Sequence, residues 1–94
     1  MTVLAVAMTK FKVGDLAGLE KFYTETLGFA VVARIDEGEG EGELHELILA
    51  LPGQQPQFAL IQYPNLPVPQ PGEAVVILAV SDLEATIADV VSAG

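Results

Sequence analysis

A chain of 94 residues carries one short signature twice, and this repetition constrains its architecture more than any other feature. Val13-Gly14-Asp15-Leu16 recurs as Val80-Ser81-Asp82-Leu83, 67 positions further on. Each copy follows an apolar stretch with strand character and opens a helix. In the first copy Asp15 stands where a helix needs its N-cap, because a carboxylate there accepts backbone N–H groups that the first turn leaves free. Leu16, Leu19, Phe22, Tyr23 and Leu27 then fall on one helical face, and Gly28 follows as a left-handed stop. In the second copy Leu83, Ile87, Val90 and Val91 share a face, and Gly94 takes the place of Gly28. Strand, capping Asp, helix and Gly in the same order twice read as duplication of one supersecondary unit.

Between the copies the chain reads as strands. Residues 3–13 form the first, with Thr9, Phe11 and Val13 pointing one way and Met8, Lys10 and Lys12 the other. Residues 29–35, 44–51 and 57–63 form the next three, and residues 73–80 a fifth, before the second helix over 82–93. The run 64–72 holds four prolines and reads as a semi-rigid connector. The expected fold is therefore α+β. A βαβββ module over 1–63 is followed by an incomplete second βα(βββ) module over 73–94, in a curved mixed sheet with helices on one face. A fifth strand without its three companions leaves backbone groups unpaired, so either the chain continues past Gly94 or a second copy covers the gap. A homodimer is the expectation in both cases.

Composition narrows the partners. There are 13 acidic residues against four Lys and Arg, a formal charge of −9, which argues against a nucleic-acid backbone. The absence of cysteine removes disulfides, thiolate nucleophiles and zinc–thiolate sites. No apolar run reaches the roughly 18 to 20 residues of a membrane span. The N-terminus has no basic region before its apolar run, so a cytoplasmic protein without a signal peptide is expected. The acidic run from Asp36 to Glu46 lacks the fixed ligand offsets of a Ca²⁺ loop and reads as a solvated hairpin. Gly38, Gly40 and Gly42 do not lead from a strand into a helix, so they form no phosphate loop. His45, the single histidine, reads as a strand-end residue near water, the alternative being a metal ligand or general base, and one His without Cys gives a nucleophilic triad little to stand on.

The chain resembles the vicinal oxygen chelate superfamily, which includes glyoxalase I, bleomycin-resistance proteins and extradiol dioxygenases. The residues carrying the resemblance are Val13-Gly14-Asp15-Leu16, Phe22-Tyr23, Leu27-Gly28-Phe29, Leu60-Ile61-Gln62-Tyr63 and Val80-Ser81-Asp82-Leu83. It implies paired βαβββ modules whose sheets curve around a pocket. In the metalloenzymes of this superfamily, side chains from the first and fourth strands of each module hold a divalent ion as a Lewis acid. Here the matching positions are Met8, Val75, and Ala59 or Leu60, none a hard O or N donor. No metal is expected at that site, and a divalent ion enters only if its ligands lie beyond Gly94.

The pocket wall implied by the resemblance comprises Met8, Lys10, Lys12, Ala59, Ile61, Tyr63, Val75 and Ile77. Lys10 and Lys12 would suit an anionic group, while their counterparts Ile77 and Ala79 are apolar, as for a ligand with one charged end. The alternative for the lysines is that they simply reach water or cover an interface. Tyr63 either offers its hydroxyl to a ligand or packs under the proline connector. The functional expectation is a glyoxalase/bleomycin-resistance-like protein binding a small organic ligand. Two alternatives stay open: a metal-dependent lyase, isomerase or ring-cleaving dioxygenase of the same superfamily, and a dimerisation module without ligand.

Overall fold

A computed structural model describes residues 2–56, 58–70 and 76–94. Four strands, β1 (Thr9–Lys12), β2 (Ala30–Glu37), β3 (Leu44–Ala50) and β4 (Phe58–Gln62), form one mixed sheet in the order β1-β4-β3-β2. β1 runs parallel to β4, whereas β4–β3 and β3–β2 are antiparallel. The first two strands thus lie at opposite edges, and the helix joining them, α1 (Leu16–Lys21), must cross a face of the sheet.

That face is apolar because the strands alternate. Phe11, Leu47, Leu49, Phe58, Leu60 and Val31 turn toward α1, where Leu16, Leu19 and Tyr23 meet them. Leu47, Leu49 and Leu60 are the largest fully buried side chains. The rings of Tyr23, Phe29 and Phe58 close the cluster edge-to-face or tilted, with centroids 5.4 to 5.6 Å apart. Burial of the Tyr23 ring raises its phenol pKa above the usual value. On the opposite face the register sets two rungs: Lys10–Ala59–Ile48–Ala33, then Lys12–Ile61–Glu46–Ile35. A bulge at Val32 restores this alternation near the start of β2.

Both ends of α1 behave as the sequence implies, with one addition. The Asp15 carboxylate accepts the Gly18 N–H at 3.0 Å. The Gln62 side chain at the end of β4 is a second cap: its carbonyl accepts the Leu16 N–H at 3.0 Å and its amide donates to Gly14 O at 3.1 Å. The expected helix to Leu27 is α-helical only to Lys21. It then widens over Phe22–Thr26 into a turn with five-residue hydrogen bonding, in which the Leu27 N–H reaches Phe22 O at 3.2 Å. The wider turn accompanies the placing of Tyr23 against Phe29 and Phe58. Gly28, at φ +80°, then ends it.

Two expectations need correction. The first strand begins at Thr9 rather than residue 3, because its partner β4 begins at Phe58, opposite Thr9. The fifth strand expected over 73–80 does not form where it is described: residues 76–80 pair with no strand among the described residues, and 73–75 lie outside them. The second helix, α2 (Leu83–Ala93), forms as expected, capped by Asp82 accepting the Ala85 N–H at 3.0 Å. It packs chiefly on the Phe22–Thr26 turn, and Leu83, Ile87 and Val91 stay exposed.

Removing Leu16 from the core costs about 2–5 kcal/mol, against about 1 kcal/mol for a lost cap, so packing outweighs capping in holding α1. Gln62 nevertheless does both jobs of a clamp. Gln62→Ala is expected to destabilise the chain by about 1–2 kcal/mol, read as a lower urea midpoint with an unchanged m-value. Substituting the exposed Gln55 is expected to leave the midpoint within about 0.5 kcal/mol of the parent.

Candidate functional site

The sheet face turned away from α1 gathers the first candidates. Lys10 and Lys12 from β1 lie beside Ala59 and Ile61 of β4, in register and on one side. Ala59 and Ile61 are buried, since each is flanked by strands on both sides. Tyr63, just past β4, lies under Lys12, whose Nζ is 5.7 Å from the ring centroid. That is a cation–π distance, favourable because the ring face is negative.

The remaining candidates separate. Met8 is half-buried just ahead of β1. Val75 lies outside the described residues. Ile77 is 91% exposed and borders a different cavity of about 300 Å³, with Phe11, Phe29, Leu49 and Phe58 of the helix-side face. Lys12 and Tyr63 border a cavity of about 170 Å³, closed by Pro64, Pro67 and Pro69 of the connector. Val68 of the same connector presses on Gly14, where an added Cβ would come within 2.6 Å of its methyl group. The connector therefore both packs on Tyr63 and walls a cavity beside it.

Sequence reasoning missed Glu46. It was grouped with the acidic hairpin, but it lies in the middle of β3 and is 3% exposed. Lys10 Nζ reaches it across β4, donating to Oε1 at 3.1 Å and lying 3.0 Å from Oε2. The crossing runs over Ala59, the residue opposite Lys10, whose single methyl leaves room for the lysine stem. The signal was present: in Leu44-His45-Glu46-Leu47-Ile48, a Glu at the same parity as Leu44 and Ile48 belongs to a strand face, not a loop.

On the α1 side of the same strands, Arg34 pairs with Glu20 at 2.7 Å. The pair holds the Glu20 carboxyl below its usual pKa, chiefly through the hydrogen bond. His45 is gripped from both sides, Nδ1 at 2.7 Å from Asp36 and Nε2 at 2.9 Å from Glu43. Hydrogen bonds first to Asp36 and then to Glu43 raise its pKa, because both favour the imidazolium.

At the positions that the resemblance assigns to metal ligands, Met8 carries a thioether, and Ala59 and Leu60 carry only carbon. Among the described residues no group of three His, Cys, Asp or Glu side chains is arranged to hold a metal ion. No helix among them is long and apolar enough to cross a membrane.

The sequence profile described as the Glyoxalase/Bleomycin resistance protein/Dioxygenase superfamily matches residues 5–94. Among solved structures, the trypanothione-dependent glyoxalase I of Leishmania major is 24% identical over 96% of this chain, with a TM-score of 0.75. This chain spans only 66% of that one. TnmS3, an antibiotic binding protein from Streptomyces sp. CB03234, is 25% identical over 100% of this chain and 74% of its own, with a TM-score of 0.65. A glyoxalase/bleomycin resistance protein from the same strain is 24% identical over 96% of this chain and 75% of its own, with a TM-score of 0.55. Likeness at this level of identity is a likeness of fold. No curated protein matches the chain.

The His45 geometry fixes a pH dependence. A pKa raised on folding stabilises the native state fully below the unfolded value of about 6.5, and the contribution is lost as pH rises through the folded value. Stability is therefore expected to fall as pH rises from about 6 to 8, and His45→Gln should flatten that slope. Urea midpoints across this range, with the His45 ring titrated by NMR, check both; an identical slope in the variant would contradict the assignment.

Proposed function

The chain belongs to the Glyoxalase/Bleomycin resistance protein/Dioxygenase superfamily, and from that premise we propose that it binds a small organic ligand with an anionic end, without a catalytic metal. The observation that carries the reading is Lys12 at the wall of the 170 Å³ cavity, over the Tyr63 ring and beside the connector prolines. The cavity is smaller than the roughly 300 Å³ and upward of a drug-sized site, so it suits one end of a ligand. The rest of the ligand extends over the same sheet face, toward the half-exposed Lys10. Lys12 supplies the charge, the Tyr63 hydroxyl a hydrogen bond, and the prolines a wall that costs little entropy to order.

Support for metal-free binding comes from the donor set: Met8 and Ala59 stand where the superfamily's metalloenzymes place oxygen and nitrogen ligands. The antibiotic-binding activity named for TnmS3 agrees with a binding role for this fold. In this reading residues 1–63 form one wall and 73–94 begin a second, and a second copy of the chain completes the enclosure. The free edge of β1 and the exposed Val3, Leu4 and Val6 ahead of it support that partnership. A native mass of twice the chain mass is the expected outcome; a monomer at micromolar concentration would contradict it.

Benzoate is a suitable probe of the charged end. It is expected to shift the amide resonances of Lys12, Gly14 and Tyr63, and Lys12→Met should weaken binding about tenfold, as loss of a charge-assisted contact does. Lys21→Met, on α1, should leave it unchanged. Equal affinity in the Lys12 variant, or shifts confined to the cavity at Ile77, would contradict the reading.

A further inference from the structure

Glu46 is a buried carboxylate with one partner, Lys10, among the described residues. Of its two oxygens, Oε1 accepts a hydrogen bond from Lys10, while the buried Oε2, 3.0 Å from the same ammonium, has no hydrogen bond of its own from any described residue. An ionised carboxylate offers about four acceptor sites. Here a single ammonium serves both oxygens, and its hydrogen-bond geometry favours one. The partners are unevenly buried: Lys10 is 53% exposed and Glu46 3%. The cost of desolvation thus falls almost wholly on the acid, while the lysine keeps much of its water. An apolar residue at this rung would pack between Ile61 and Ile35 without that cost. A buried carboxylate served by one half-exposed ammonium calls for an explanation beyond stability.

We propose that Glu46 and Lys10 form a paired recognition subsite on the sheet face opposite α1, taking a neutral donor–acceptor group of the amide type: its N–H donates to Glu46 Oε2 and its carbonyl accepts from Lys10. The inference rests on the ligand-binding reading above and adds a second polar anchor to it, on the neighbouring strands. Lys10 is long, half-exposed and held at one end only, so it can lift from Glu46 and donate to a guest while staying near it. A neutral donor is favoured over a free amine, because a second cation would compete with Lys10 for the same carboxylate and meet its repulsion. Ile35, beside Glu46 on its rung, and Ile48, the next residue of β3 on this face, are partly exposed, so the substituent on the amide rests on apolar surface. An aryl amide meets all three demands.

The experiment compares benzamide with N,N-dimethylbenzamide, which keeps the carbonyl and ring but lacks the donor, by NMR titration of the full chain. Benzamide is expected to bind about tenfold more tightly, the difference made by one hydrogen bond to a charged group, with the largest shifts at Lys10, Glu46 and Ile61. In Glu46→Met the preference is expected to vanish while Tm rises by a few degrees, since a buried, under-paired charge is replaced by an apolar chain of similar length. Two amides that bind equally, both shifting Ile61 and Ile35, would overturn the subsite and leave the ligand-binding face standing. If neither perturbs that face, both readings fall. A Glu46→Met variant that loses stability and keeps the preference would make the ion pair purely structural, and the proposal would be wrong.

Discussion

Strand β4 is the constraint on which the rest of the molecule depends. It is the strand through which β1 joins the β2–β3–β4 meander, with β1 parallel to it on one side and β3 antiparallel on the other. Its alternation assigns a chemistry to each face. Phe58 and Leu60 turn toward α1 and complete the core, and Gln62 extends the same side to cap the helix. Ala59 and Ile61 turn the other way, beside the two lysines of β1. Because side chains along a strand alternate with period two, a slip of one residue would exchange the two sets outright. Core, helix capping and candidate site are therefore consequences of one register.

Charge is distributed in a way that follows from the same register. The chain has only four Lys and Arg against 13 acids. Two of those four cations, Lys10 and Lys12, stand two residues apart on one sheet face; a third, Arg34, is engaged by Glu20 on the other. A molecule of net charge −9 repels anions at long range, so an anionic ligand would be favoured only within a few ångströms of the lysines. Added salt would screen the repulsion more than the contact, an ordering opposite to that of a basic binding protein. The acids crowd at the β2–β3 end instead, where Asp36 and Glu43 hold His45 and the Asn65 amide donates to Gly40 O at 2.7 Å.

How much of this was legible in the sequence depended on whether the signal was local. The Asp15 and Asp82 caps, the Gly28 stop, the βαβββ order and the alternation that puts Lys10 and Lys12 opposite Phe11 are all set by residues close in sequence, and they appear as expected. Features that depend on a partner strand were not legible. The first strand is shorter than its composition implies, because nothing near residue 3 tells where β4 begins. Residues 76–80 have strand composition but pair with no strand among the described residues. Glu46 was misread for the opposite reason: its acidic neighbours in sequence outweighed its place in an apolar strand. Gln62 gave no sign of its capping role, since it lies 46 residues from the helix it caps.

The duplicated signature explains a contrast between the two helices. The first sits on a completed sheet and buries Leu16; the second carries an equivalent stripe, and its Leu83, Ile87 and Val91 remain exposed. The most direct test of the register on which all of this depends is a methyl NOE spectrum. Leu16 methyls are expected to show cross-peaks to Leu60 and Leu47, and none to Ile61 or Ile48. Cross-peaks from Leu16 to Ile61 would mean that the faces of β4 are reversed, and the division into a core side and a binding side would be contradicted.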